Sequence, residues 1–116
     1  MAISVQLTFR DFDSSPAVTE HVNRRAAKLE TYSDRLMTCH VVVEQPHRHS
    51  RHGQNFHVRI AMHMPGKELI VSKTSPDSTL DLHVTIDEAF AEAERVLEDH
   101  VKAQRDRVHR PHSVRA

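Results

Sequence analysis

The chain has 116 residues, 38% of them hydrophobic, which suffices for one domain with one core but leaves little room for the deep active-site pocket of most enzymes. Its formal net charge is +0, because 16 Lys+Arg residues balance 16 Asp+Glu residues, so composition alone does not indicate a nucleic-acid partner. The single cysteine, Cys39, excludes an intrachain disulfide and favours a reducing compartment. No apolar stretch reaches the roughly 20 residues of a membrane span, and no signal-peptide pattern is present. We therefore expect a cytoplasmic protein without a membrane partner.

The neutral sum hides an uneven distribution of charge along the chain. Cations dominate residues 21–59, carboxylates dominate residues 77–99, and residues 102–115 are basic again. One surface of the folded protein can therefore be strongly basic although the whole chain is neutral.

The first predicted elements are a strand and a helix. Residues 3–9 alternate apolar and polar side chains, which predicts a strand with one buried face. Ser15 and Pro16 then predict a helix start, because serine is a good N-cap and proline is favoured at the first helical position. The apolar stripe of this helix is Val18, Val22, Ala26 and Leu29. A basic row follows the same spacing beside it: His21, Arg24, Arg25 and Lys28.

Three further strands are predicted after this helix. Residues 37–45 form the second strand, with Cys39, Val41 and Val43 on its core face. A basic, histidine-rich loop leads to the third strand, whose inward face is Phe56, Val58, Ile60, Met62 and Met64 and whose open face is His57, Arg59, Ala61 and His63. Pro65 and Gly66 predict a tight turn into a fourth strand over residues 69–73. We assign Phe56, Phe90 and the methionines to the core.

The last predicted element is a helix that begins either at Asp81 or at a capping box from Thr85 to Glu88. Its apolar stripe is Ile86, Ala89, Phe90, Ala93, Leu97 and Val101. The order β-α-β-β-β-α predicts an α+β two-layer sandwich in which a four-stranded sheet carries two helices on one face. We expect one domain over residues 1–108 and a basic, flexible tail over residues 109–116.

Two histidine groups suggest alternative functions. His47, His49 and His52 are of the ligand type that zinc or nickel prefers, but a loop alone rarely fixes metal ligands, so we favour RNA contact or a simple polar loop. His57 and His63 align on one strand face and could serve as an acid/base pair. That face is open to water and lacks a nucleophile, and the 2 glycines cannot build a phosphate-binding loop. We therefore expect no enzyme, no cofactor and no small-molecule substrate.

Several segments resemble the ribosome hibernation promoting factors, also called ribosome-associated inhibitor or sigma-54 modulation proteins. They are SPAVTEHVNRRAAKLETYSDRL, the strand pair after it, and DLHVTIDEAFAEAERVLEDHV. The most specific pieces are Lys-Leu-Glu-x-Tyr followed by Asp-Arg, and Asp-x-x-x-x-Ile-Asp before the last helix. The resemblance implies a fold similar to double-stranded RNA-binding domains. It also implies a protein that lodges in the mRNA and tRNA channel of the small ribosomal subunit, contacts its rRNA and blocks translation in idle ribosomes.

The resemblance also implies which residues contact RNA. Arg25 and Lys28 match basic positions on the first helix of the family, and Arg95 matches one on the second. With the loop and the C-terminal cations, the full predicted set is Arg24, Arg25, Lys28, Arg35, Arg48, Arg51, Arg95, Lys102 and Arg105. The alternative function is a metal-binding or protein-interaction module that uses residues 47–57.

Two departures from the family pattern affect these expectations. Glu92 and Asp99 stand where short members of the family carry lysines. Such carboxylates would repel phosphates, so this flank faces a ribosomal protein or solvent, or the loop and the tail supply part of the contact. The C-terminal extension with which long members pair ribosomes is missing as well. Dimerisation of ribosomes would then need a separate partner protein.

Overall fold

The computed structural model describes residues 3–11, 13–45, 56–75 and 82–109, with side chains up to residue 107. Its elements follow the predicted order. They are β1 (Ser4–Arg10), α1 (Pro16–Lys28) with a 3₁₀ turn (Leu29–Thr31), β2 (Thr38–Glu44), β3 (His57–Met64), β4 (Lys67–Thr74) and α2 (Leu82–His109).

The strands form one four-stranded sheet in the order β1-β2-β3-β4. β1 and β2 are parallel and are connected through α1, whereas the other two pairs are antiparallel. Val41 of β2 lies opposite Leu7 of β1 and Ile60 of β3, and Ile60 in turn lies opposite Val71 of β4. Apolar side chains of all four strands therefore share one face of the sheet. The predicted α+β sandwich is confirmed.

Both helices cover this apolar face. Val22, Ala26 and Leu29 from the α1 side are fully buried, as are Ile86, Phe90 and Leu97 from α2. They pack with the inward side chains of the strands into one cluster. Because each helix buries a stripe of side chains at 3.6-residue spacing, the remaining faces of α1 and α2 stay on the surface, where they can carry charge.

Local sequence features fix the starts and turns of these elements. The Ser15 side chain accepts a hydrogen bond from Val18 N–H at 3.3 Å, and Pro16 occupies the first turn of α1. Gly66 has φ +72, the left-handed conformation that the tight turn between β3 and β4 requires. α2 begins at Leu82, which is earlier than the capping box from Thr85 to Glu88 would place it.

The predicted core needs one correction and one refinement. Met37 is 55% exposed, because it precedes the first residue of β2 and its side chain lies outside the layer between sheet and helices. Phe56 is only partly buried and packs against the core from the end of β3. Cys39, by contrast, is fully buried as predicted, and this burial raises the pKa of its thiol to about 12.

The second face of the sheet carries no helix in the part of the chain that the structure describes. His57 and His63 lie on this face, as predicted. His57 Nδ1 is 2.8 Å from Thr74 Oγ1, and His63 Nε2 is 3.2 Å from Glu68 Oε2. Each histidine is therefore paired across to β4 rather than with the other. Neither described helix combines the length and the apolarity needed to cross a membrane.

Candidate nucleic-acid interface

The predicted basic row on α1 divides into two groups with different surroundings. Arg24 and Lys28 point to solvent, with side chains that are 65% and 56% exposed. Arg25 and His21 turn toward α2, with side chains that are only 21% and 15% exposed. The division follows from helix geometry, because residues one position apart differ by about 100° in direction around the axis.

Arg25 forms the centre of a cluster of charges between the two helices. Its Nη1 donates to Asp87 Oδ1 at 2.5 Å, and its Nη2 donates to Glu94 Oε2 at 3.3 Å. Lys28 Nζ lies 3.9 Å from the same Glu94 oxygen. The Arg25 guanidinium also lies over the ring of the buried Phe90, 5.7 Å from its centroid. We call the charged residues Arg25, Lys28, Asp87 and Glu94, together with His21, the interhelical charge cluster.

Asp87 receives two donors in this cluster. His21 Nε2 lies 2.8 Å from the Asp87 oxygen that also accepts from Arg25. Burial raises the pKa of the Asp87 carboxyl, but the hydrogen bonds and the charges of His21 and Arg25 outweigh this effect and hold the pKa below its ordinary value. The ring of His83 contacts His21 edge-on, with centroids 4.7 Å apart. The carboxylate of Asp87 is therefore stabilised in its charged form.

The spacing of charged residues on α1 and α2 predicts this cluster only when the two helices are considered together. Asp87 and Glu94 are separated by seven positions on α2, and His21, Arg25 and Lys28 are separated by four and three positions on α1. Both spacings place side chains on one face of a helix. An acidic row on one helix and a basic row on the other therefore match when the helices pack side by side.

The outer surface of α2 carries a second group of charges. Arg95, which is 62% exposed, donates to Glu92 at 2.8 Å and lies 3.8 Å from an Asp99 oxygen. Glu92 and Asp99, the residues that depart from the family pattern, are thus both next to a cation on their own helix. Lys102 and Arg105 follow on the exposed last turns of α2.

Arg35 and Arg105 share one groove although the two residues are far apart in sequence. Both line an open groove of about 510 Å³ between the turn after α1 and the last turns of α2. Tyr32 and Val101 form an apolar part of its lining. The structure therefore brings two of the predicted RNA-binding arginines together at a surface that the sequence did not reveal.

The remaining predictions lie outside the described residues. Arg48 and Arg51 belong to the loop over residues 46–55, as do the alternative metal ligands His47, His49 and His52. Within the described ranges, no group of three or more His, Cys, Asp or Glu side chains could hold a metal ion.

Comparisons with known proteins identify the family. The family described as "Sigma 54 modulation protein / S30EA ribosomal protein" matches the chain over residues 5–105. No curated protein matches the chain significantly.

Solved structures share the fold. The N-terminal domain of Protein Y from Thermus thermophilus is similar with a TM-score of 0.66 and 24% identity, covering 86% of this chain and 99% of that one. A ribosomal subunit interface protein from Coxiella burnetii is similar with a TM-score of 0.65 and 18% identity, over 86% of this chain and 99% of that one. The chain belongs to the sigma-54 modulation protein / S30EA ribosomal protein family, a family of ribosome-associated proteins.

Proposed function

We propose that the chain binds the rRNA of the small ribosomal subunit in the channel used by mRNA and tRNA, and that it thereby blocks translation in idle ribosomes. Family membership and the shared fold support a ribosomal partner. The name of the Coxiella burnetii neighbour states that protein's association with a ribosomal subunit interface. We propose a similar location on the ribosome for this chain, and we name the residues that contact rRNA there.

One structural observation carries the proposal: two carboxylates of the acidic second helix point into the interhelical charge cluster. Glu94 is only 14% exposed, and Asp87 accepts hydrogen bonds from α1. Phosphates that approach the exposed basic edge of α1 therefore meet Arg24 and Lys28 before these carboxylates. The repulsion expected from an acidic second helix is reduced in this region, because Asp87 and Glu94 both accept hydrogen bonds from Arg25 of α1.

The exposed cations are the best candidates for phosphate contacts. Arg24 is paired only loosely with Glu20 at 4.0 Å, and Lys28 reaches Glu94 only at 3.9 Å. The Arg24–Glu20 pair is exposed on both sides and contributes at most about 1 kcal/mol, so a phosphate can replace Glu20 at little cost. Lys28 can turn toward a phosphate because Glu94 also accepts from Arg25. Arg95 can exchange its partners in the same way. Arg35, Lys102 and Arg105 extend the basic surface toward the end of α2.

Arg25 has a different role in this arrangement. Because its guanidinium joins Asp87, Glu94 and the Phe90 ring, it holds α1 against α2 and sets the direction of the neighbouring Arg24 and Lys28. We retain Arg25 in the RNA-binding set as a residue at the margin of the surface. Its main effect on binding would come through the position of α1.

The mechanism is steric exclusion. A protein that occupies the channel prevents mRNA and tRNA from entering it, and this requires no reaction. Contacts to backbone phosphates and to the shape of folded rRNA suffice, since such contacts fix position without reading base sequence.

The proposal is tested by co-sedimentation of the purified protein with small subunits across a salt series. The variant Arg24→Gln/Lys28→Gln should bind more weakly, and the slope of log affinity against log salt should fall by about 1 for each phosphate contact removed. The matched control is Arg10→Gln/Arg59→Gln, which removes two exposed arginines from the open sheet face. Equal losses for both variants, or no binding by the wild type at low salt, would refute the proposed interface.

A further inference from the structure

The groove between the turn after α1 and the end of α2 combines two arginines of the proposed RNA-binding set, Arg35 and Arg105, with side chains such as Tyr32 and Val101 that the proposed mechanism does not use. Residues 30–35 form one wall, and Val101, Gln104 and Arg105 form the other. Its volume of about 510 Å³ lies within the range of ligand sites, roughly 300–1,000 Å³. A nucleotide is of suitable size for such a groove.

The first wall is held in place by hydrogen bonds at successive residues. Glu30 accepts from the backbone N–H of Ile3 at 2.7 Å, which ties this wall to β1. Tyr32 N–H donates to the Leu29 carbonyl at 3.0 Å, and Ser33 Oγ accepts from Arg35 N–H at 3.1 Å. The Tyr32 ring packs against the core cluster and is half-buried. The ring is therefore presented in a fixed position and not on a loose loop.

The second wall follows from helix geometry. Gln104 and Arg105 follow Val101 by three and four positions, so both lie beside it on one face of α2. Among the side chains of α2 that the structure describes, Leu97 is the last fully buried one, and those from residue 98 to 107 are half-buried or exposed. α2 thus extends beyond the core with this face turned toward Tyr32.

The chemistry of the groove matches one nucleotide. A tyrosine ring beside an aliphatic side chain offers a surface on which a base can stack, and stacking on aromatic rings is a general way in which proteins hold unpaired bases. Arg35 and Arg105 supply guanidinium groups for a phosphate. The two acids of the lining, Glu30 and Asp34, can accept hydrogen bonds from ribose hydroxyls or base amino groups, both of which are donors.

We propose that this groove binds a single unstacked nucleotide, with the base against Tyr32 and Val101 and the phosphate between Arg35 and Arg105. The nucleotide can be a free mononucleotide or one residue of a single-stranded RNA segment. In the second case the inference rests on the proposed function and deepens it, because the groove would fix the protein's position on rRNA by holding one extruded base.

The test uses the fact that Tyr32 is the only tyrosine among the 116 residues. Protein that carries 3-fluorotyrosine gives one ¹⁹F resonance, and this resonance reports on the groove directly. It is titrated separately with AMP, with UMP, with inorganic phosphate, with a single-stranded RNA heptamer and with a blunt-ended RNA duplex. The variant Arg35→Gln/Arg105→Gln tests the phosphate position. Arg59→Gln, on the open sheet face, is the matched control.

The proposal expects a saturable shift with AMP or with the single-stranded heptamer. The affinity obtained from this titration should be unchanged in Arg59→Gln and should fall about tenfold or more in Arg35→Gln/Arg105→Gln. A shift with the mononucleotides identifies a free nucleotide as a ligand, and a shift with the heptamer alone identifies RNA as its source. The proposal is overturned if inorganic phosphate shifts the resonance as AMP does, if the duplex shifts it as strongly as the heptamer does, or if no ligand shifts it.

A second measurement separates this inference from the proposed function. Tyr32→Leu keeps an apolar side chain against the core but removes the ring, whereas Tyr32→Phe keeps the ring. On small subunits, Tyr32→Leu should bind roughly tenfold more weakly than Tyr32→Phe, the loss typical of one stacked base. If both variants bound small subunits with the affinity of the wild type, the groove would not hold a base of rRNA. The proposed function would not be affected by that result. If the wild type does not bind small subunits, the proposed function fails, and the ¹⁹F titration with mononucleotides still shows whether the groove binds a nucleotide.

Discussion

Arg25 of α1 donates a hydrogen bond to Asp87, which lies 62 residues later in the chain, on the face of α2 that packs beside α1. With Glu94 as its second acceptor, Arg25 shares its single positive charge between two carboxylates of the acidic helix. The pairing explains how a chain with a formal net charge of +0 can present a basic edge, because two of its carboxylates are bound to a cation of the neighbouring helix.

Removal of the Arg25 guanidinium should destabilise the fold. Arg25→Gln loses the charged hydrogen bonds to Asp87 and Glu94, whereas Asp87 keeps its contact with His21 and Glu94 keeps its longer contact with Lys28. We expect a loss of about 2 kcal/mol in the free energy of unfolding, measured by urea denaturation at neutral pH. Arg24→Gln, the exposed neighbour, should change it by less than about 0.5 kcal/mol. Equal effects of the two substitutions would show that the interhelical charge cluster is not structural.

The same cluster predicts how stability depends on pH. Because the pKa of Asp87 is lower in the folded protein than in the unfolded chain, its stabilising contribution is present above the unfolded pKa and is lost as pH falls through the folded pKa. The stability difference between wild type and Asp87→Asn should therefore be largest near neutral pH and should shrink below about pH 4. Urea denaturation of both proteins at several pH values measures this difference. If the difference in the free energy of unfolding between the two proteins did not change from neutral pH to the lowest pH measured, the lowered pKa of Asp87 would be contradicted.

The buried thiol of Cys39 should react slowly in the native protein. Its side chain is fully buried in β2, and the pKa of about 12 leaves almost no thiolate at neutral pH. We expect labelling by iodoacetamide to be at least 100-fold slower than in the urea-unfolded chain. Labelling at the unfolded rate in native buffer would mean that β2 opens readily.

The turn between β3 and β4 makes a prediction about backbone conformation. A Cβ added at Gly66 would meet nothing within 4 Å, so substitution there affects only the backbone, which has φ +72. Gly66→Ala should cost about 1 kcal/mol in the free energy of unfolding. Gly66→Asn should cost less, because asparagine tolerates this conformation better. Thermal or urea unfolding of both variants checks the order, and an alanine variant as stable as the wild type would contradict it.

Much of the fold could be predicted because the signals that specify it are local. Alternation at Val58, Ile60 and Met62 fixes which face of β3 is buried, and Ser15 with Pro16 fixes the start of α1. Met37 was wrongly assigned to the core because hydrophobicity alone does not show where a strand begins. The side chain lies before β2 and is exposed.

The arrangement of the site was less predictable, because it depends on how distant elements pack. The spacing on α1 predicted a basic row, but only the direction of α2 shows that Arg25 turns inward while Arg24 stays exposed. Similarly, the groove between Arg35 and Arg105 depends on how far α2 extends beyond the core. Neither element alone contains this information.

The most direct test of the account is a competition experiment on the small ribosomal subunit. Small subunits are saturated with a fluorescently labelled sample of this protein, and mRNA with initiator tRNA is then added at increasing concentration. The account predicts that mRNA and tRNA displace the protein and that an excess of the protein prevents their binding, since both occupy one channel. Stable simultaneous binding of the protein, mRNA and tRNA to the same subunit would contradict it.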